Sequence, residues 1–240
     1  MSDFQLTITE HLKDLRRCLI NSLIGIFIIT CFCMFFTNEF LDILKYPMKQ
    51  FLENNNNFII LMPHEYFFTQ IKAALFVGII ISSPWISYQI WSFVSPGLHV
   101  KEKKYSIIFI FISAFFFIIG ILFGYLLVLP ISFNFFSQGL PNDVIGNYSI
   151  PMLFSFSIKM LLVFGIIFET PIIIFLLIFF KIIHINFFTK NRKIVIIIAF
   201  LLAALLTPPD PLSQIMLAIP LILFFEIGIM SAKLFNKIKK

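Results

Sequence analysis

Charge is what this sequence has least of. Asp, Glu, Lys and Arg together make up 12% of its 240 residues, against 60% hydrophobic and a mean hydropathy of +0.99. A soluble globular domain carries charge on about a quarter of its residues and is near half apolar. A chain this apolar has too little polar surface to hide its core from water, which excludes a soluble fold. Histidine is sparse as well: His11, His64, His99 and His184 are scattered among loops. No Ser/His/Asp set, His/Glu metal spacing or Gly-rich phosphate loop is present, so neither catalysis nor a metal or other cofactor is expected. The three cysteines, Cys18, Cys31 and Cys33, lie in or beside the first apolar run. Cys-x-Cys there is not a metal spacing and the count is odd, so they read as small apolar residues. The first ten residues lack the basic n-region of a secretory signal, and no small-residue cleavage site follows. The first apolar run is therefore expected to be a permanent span. No internal repeat relates the two halves. The net charge of +6 does not point to nucleic acid, because no basic run is interleaved with stacking aromatics outside apolar segments.

What the chain does have is a series of long apolar runs. A spanning helix needs roughly 20 apolar residues. Runs at 19–36, 73–94, 106–129, 154–180, 194–206 and 215–230 predict an all-α, polytopic membrane protein with six transmembrane helices, forming a single domain over 1–240. Ser82-Ser83-Pro84 is expected to break the second run and Pro130 to close the third, while Pro171 and Pro220 lie inside the fourth and sixth. The last two runs are short, reaching roughly 20 and 24 Å against a hydrocarbon core of about 30 Å. They are joined by the rigid turn Thr207-Pro208-Pro209-Asp210-Pro211.

Basic residues set the orientation. Fourteen of the 18 Lys and Arg fall in the N-terminal segment, the second and fourth connections and the C-terminal segment. Lys13, Arg16 and Arg17 begin this series, and Lys237, Lys239 and Lys240 close it. The third and fifth connections hold none. The positive-inside rule then places both termini in the cytoplasm. The first external connection predicts an amphipathic helix over about 38–52, capped by Asn38, with Phe40, Leu41, Leu44, Met48 and Phe51 at helical spacing. It is expected to lie on the outer interface and to break near Pro47. Asn54 to Asn57 reads as a turn or loop, and 132–148 as irregular.

The acids are the candidates for chemistry. Asp14 and Glu102 lie in basic cytoplasmic segments. They either pair locally, Asp14 with Arg17, or form an anionic site for a cationic ligand. Glu169 stands midway along the fourth run, just before Thr170-Pro171. An ionisable residue at membrane depth faces the protein interior or water and marks a functional candidate, unless it is a structural acid bonded to a neighbouring helix. Glu226, in the sixth run, can reach the interface or pair with Lys233.

Four motifs then coincide. His11-Leu12-x-Asp14-Leu15-Arg16 resembles an H-L-x-E-L-R signature. Ser92-Phe93-Val94-Ser95-Pro96-Gly97-Leu98, followed by Glu102, resembles F-x-x-P-x-L with a Glu shortly after. Phe168-Glu169-Thr170-Pro171 resembles F-E-x-P, and Leu206-Thr207-Pro208-Pro209-Asp210 with Ser213-Gln214 resembles L-T-P-P-D-x-x-S-Q. Over nearly its whole length the chain resembles the TatC family, the multispanning receptor component of the twin-arginine protein translocase.

That resemblance implies a six-helix, N-in/C-in membrane protein shaped like a cupped hand. It would bind twin-arginine signal peptides of folded proteins at the cytoplasmic face. TatA-like and TatB-like single-span proteins would be its partners in a multimeric complex in the bilayer, with export driven by the proton-motive force and not by ATP. The location implied is a bacterial cytoplasmic (inner) membrane or an organelle membrane. Carried over by position, Asp14 and Glu102 fall where the family's acids contact the signal's arginine pair, and Arg16 and Phe93 fall at positions tied to signal recognition. Glu169 matches the polar residue of the concave membrane face. Pro47, Tyr125, Asp210 and Gln214 fall at other positions tied to function or partner contact. Position 14 is Asp where the family pattern has Glu, which keeps the charge and shortens the reach by one methylene.

The competing reading is a small proton- or ion-coupled secondary transporter with Glu169 as the ion site, a class in which repeats and broken helices are common. A haem-anchoring subunit would want paired His ligands at helical spacing within the spans, and no such pair exists.

Overall fold

The computed structural model describes residues 8–52, 57–60, 62–94, 106–138, 147–180, 182–206 and 211–238. Helix α1, Ile8–Cys33, passes through a 3-10 turn at Met34–Phe36 into α2, Thr37–Leu52. Helix α3 is Pro63–Val94, and α4 is Ser106–Phe123. A π-helical turn, Gly124–Val128, leads from α4 into α5, Leu129–Gln138. Then come α6, Ile150–Phe179, the short α7, Ile185–Lys190, and finally α8, Arg192–Leu206, and α9, Pro211–Ile238. The architecture is all-α apart from one small ornament. Strand β1, Asn57–Ile59, pairs in parallel with β2, Asn147–Ser149, tying the α2–α3 connection to the α5–α6 connection. Asn57, expected in a turn, is thus a strand residue.

Five helices are long and apolar enough to cross a membrane by length and composition: Leu12–Met48, Pro63–Phe93, Ile107–Phe136, Ile150–Phe179 and Gln214–Phe235. The sixth, α8, has 15 residues and so is about 22 Å long. The apolar run 215–230 sits within a longer helix, because α9 continues helically through Lys233 to Ile238. Helices α8 and α9 form an antiparallel hairpin. Arg192 at the start of α8 meets Glu226 late in α9, while Phe200 meets Gln214 near the start of α9. The turn 207–210 between them lies outside the described residues.

Prolines do less to these helices than expected. Helix α3 runs through Pro84 unbroken and α2 runs through Pro47. Beside Pro84, the Ser82 hydroxyl donates to the Ile79 carbonyl at 3.2 Å, one residue before the Ile80 carbonyl that the proline frees. Pro130 does not close its helix either. The preceding turn widens to π register, with the Leu129 N–H donating to the Gly124 carbonyl, and the chain stays helical to Gln138. The wider turn absorbs a ring and a missing donor that an α-register could not. Residues 132–138, expected to be irregular, are therefore helical.

The expected cap at Asn38 has no free helix end to serve. Cys33 and Thr37 both keep right-handed helical backbone on either side of the 3-10 turn, so Asn38 Oδ1 instead accepts from Gln70 Nε2 at 3.4 Å. Helix α2 is amphipathic as its spacing predicted, but its apolar face is covered by protein and not by lipid. Leu41, Leu44 and Met48 are buried in a core with Phe133, Phe154 and Phe164.

Lipid is as apolar as a leucine side chain, so helices inside it associate by close packing and not by the hydrophobic effect. The α4–α6 crossing shows the means. A Cβ on Gly120 would stand 2.5 Å from the Phe164 carbonyl oxygen, and one on Gly165 would stand 2.7 Å from the Phe117 ring. Each glycine admits the other helix; a side chain at Gly120 would meet backbone, and one at Gly165 would have to displace the Phe117 ring.

Candidate functional site

Glu169 stands between two anchoring neighbours on α6. Phe168 is buried against Phe224 of α9 and Phe123 of α4, with ring centroids 4.2 and 5.4 Å apart. Pro171, two residues on, is buried too. With that side of α6 locked, the Glu169 carboxylate lines a cavity of about 520 Å³ walled by α3, α4 and α6. Its surroundings are apolar except for three serines. Ser113 on α4 donates to Glu169 Oε2 at 2.8 Å, and Ser87 on α3 donates to Ser113 at 3.3 Å. Ser83 Oγ is buried in the same wall without a hydrogen-bond partner among the described residues. A hydroxyl relay from α3 through α4 thus ends on a carboxylate in α6. Sequence reasoning found Glu169 and missed the serines. The available signal was that Ser113 is the lone hydroxyl between Ile107 and Gly124.

The signal-recognition candidates sit elsewhere. Helices α1 and α3 pack antiparallel. Trp85 Nε1 donates to the Asn21 carbonyl at 3.1 Å, Gly25 abuts the Trp85 indole, and Gly78 abuts Thr30. Seven residues before Asn21 stands Asp14, and eight after Trp85 stands Phe93, steps of roughly 10.5 and 12 Å. The register therefore brings Asp14 and Phe93 to the same end of the pair. Trp91, stacked on Phe109 of α4 at 5.2 Å between centroids, joins α4 to that end. Asp14 and Phe93 are half-buried and Arg16 is exposed. Asp14 makes no ion pair among the described residues, so the expected pairing with Arg17 is not formed. Glu102 lies outside the described residues, as does the 95–98 part of its motif.

At the opposite end of the bundle, Tyr125 in the π turn donates to the Ile43 carbonyl of α2 at 2.7 Å. Pro47 is buried in α2 four residues further on. In the α8–α9 hairpin, Gln214 Nε2 donates to the Phe200 carbonyl at 3.1 Å, and Asp210 lies outside the described residues. Glu226 pairs with Arg192 at 3.0 Å. The sequence leaves Glu226 to reach the interface or to pair with Lys233, near in sequence; the hairpin brings it Arg192 instead. Among the described residues, no three His, Cys, Asp or Glu converge to hold a metal ion.

Known proteins match this arrangement along the chain's length. The family described as Sec-independent protein translocase protein (TatC) matches residues 10–220. A TatC of Desulforapulum autotrophicum is 40% identical, covering 96% of this chain and 86% of the relative. That of Aquifex aeolicus is 38% identical with 97% of each covered, and that of Escherichia coli K12 is 34% identical with 98% and 91% covered. A crystal structure of the twin-arginine translocase receptor TatC superimposes with a TM-score of 0.85 at 37% identity, covering 94% of this chain and 99% of that one. The chain belongs to the TatC family, a multi-span, non-enzymatic component of the twin-arginine protein translocase.

Proposed function

We propose that this chain is the signal-reading subunit of its translocase, with both termini in the cytoplasm of a bacterium and the α1–α3 end as the reading site. The observation that carries this is the α1–α3 register, which sets Asp14, half-buried and without an ion pair among the described residues, level with Phe93. A guanidinium binds to a carboxylate through charge-assisted hydrogen bonds and to an aromatic face through cation–π attraction. Asp14 and Phe93 supply one group of each kind, and Glu102, eight residues along the chain from the end of α3 at Val94, supplies a second carboxylate for the second arginine of the signal.

Glu169 is the intramembrane element of the same machine. A carboxylate in an apolar groove, oriented by Ser113, offers one polar contact to a helix laid along α6, and TatA-like and TatB-like single-span partners are the occupants this suits. The proton-motive force supplies the energy for export.

The deciding measurement is site-specific crosslinking of a twin-arginine signal peptide in membranes. Asp14→Asn, Phe93→Ala and Glu102→Gln are each expected to lose signal contact while inserting normally. Normal contact in all three would overturn the assignment.

A further inference from the structure

The external ends of α3 and α6 form a second pocket, of about 400 Å³, unconnected with the signal-reading end. Two oppositely charged side chains of α3 line it, Glu65 and Lys72. They are seven residues apart and so on one face, separated by roughly 10.5 Å along the axis. Lys72 Nζ donates to Ser155 of α6 at 3.1 Å, and an ammonium has two further hydrogens to give. Glu65 Oε2 is buried and has no hydrogen-bond partner among the described residues. A buried carboxylate oxygen without a donor is costly, so a missing donor is the first thing the pocket calls for. Phe68 and Met152, both largely exposed, give it an apolar rim.

We infer that this pocket binds the headgroup of a phosphatidylethanolamine lipid. Lys72 directly precedes the apolar run that begins at Ala73, which places its ammonium at the depth of lipid phosphates. Its free N–H groups meet the phosphate. The lipid's primary ammonium, lying further out than the phosphate, donates to the partly buried Glu65 carboxylate. A choline headgroup has no N–H to give, and a glycerol headgroup gives only neutral O–H donors, so neither offers Glu65 a charge-assisted hydrogen bond. The inference rests on the membrane-spanning reading and is independent of signal recognition.

The test uses the full chain, reconstituted in nanodiscs holding equal parts of phosphatidylethanolamine, phosphatidylcholine and phosphatidylglycerol, with retained lipid counted by native mass spectrometry. The ethanolamine lipid is expected to be retained about tenfold over the other two. Glu65→Gln should bring it down to the choline level, and Lys72→Met should lower retention of both phosphatidylethanolamine and phosphatidylglycerol. Equal retention of ethanolamine and choline lipids by the unaltered chain overturns the proposal, whatever becomes of the variants. Full displacement by soluble phosphoethanolamine at matched concentration also overturns it, because the ligand would then not be a lipid.

Discussion

The phenol of Tyr125 donates its hydrogen bond to the carbonyl oxygen of Ile43 at 2.7 Å, and Ile43 is the residue whose helical partner would be the N–H of position 47. Pro47 has no N–H to give. Tyr125, 82 residues away in sequence, supplies the donor that the proline withholds, and two family-matched residues become one structural unit. Tyr125→Phe should therefore lower stability by about 1 kcal/mol, and restoring the backbone donor with Pro47→Ala should recover part of that loss. Thermal unfolding of the two single variants and the double variant in detergent checks this, since independent sites would give additive losses.

The α4–α6 crossing should be the least tolerant helix contact. Gly120→Ala puts a methyl 2.5 Å from the backbone oxygen of Phe164, whereas at Gly124 the nearest atom is the mobile end of Leu161, at 3.1 Å. Gly120→Ala is expected to cost roughly 1–3 kcal/mol or to abolish accumulation in the membrane, with Gly124→Ala milder. Equal membrane levels and melting temperatures for the two variants would contradict the packing argument.

Ser113 should matter to export and not to signal binding. Removing its hydrogen bond to Glu169 frees the carboxylate to swing, and a bond to a charged group is worth about tenfold in an equilibrium. Ser113→Ala is expected to reduce twin-arginine reporter export roughly tenfold on that basis, with crosslinking of the signal at Asp14 and Phe93 unchanged. Ser113→Thr keeps a hydroxyl and should retain export. Loss of signal crosslinking in Ser113→Ala would show that the two sites are not separate.

The Arg192–Glu226 pair should contribute little. Its side chains are 45% and 34% exposed, and partly solvated ion pairs are worth about 0–1 kcal/mol. Glu226→Gln is expected to change the melting temperature by no more than a few degrees. A larger drop, recovered by exchanging the two charges, would assign the pair a structural role.

Much of the fold was legible because the bilayer imposes a simple code on sequence. Apolar runs became helices where expected, since a backbone in lipid must satisfy its own hydrogen bonds. The amphipathic spacing of Leu41, Leu44 and Met48 found the right face of α2, though not what covers it. Glu169 was conspicuous because charge is so rare in this chain. The prolines were misread because a missing N–H breaks a helix only if the carbonyl it frees finds no other partner. At Pro47 that partner is Tyr125, and at Pro130 it is a change of register.

The sequence by itself determined the class of protein, the position of its spans and the presence of one acid at membrane depth, because these depend on local composition and on the thickness of a bilayer. Only the tertiary structure decided which side chains share a site. Ser113 and Glu169 are 56 residues apart, Glu226 prefers Arg192 to its near neighbour, and Asp14 and Phe93 come to the same end of the α1–α3 pair through a helix register set by Gly25, Gly78 and Trp85. Such arrangements depend on how closely two helices approach and at what rotation, and neither quantity is local to any stretch of the chain.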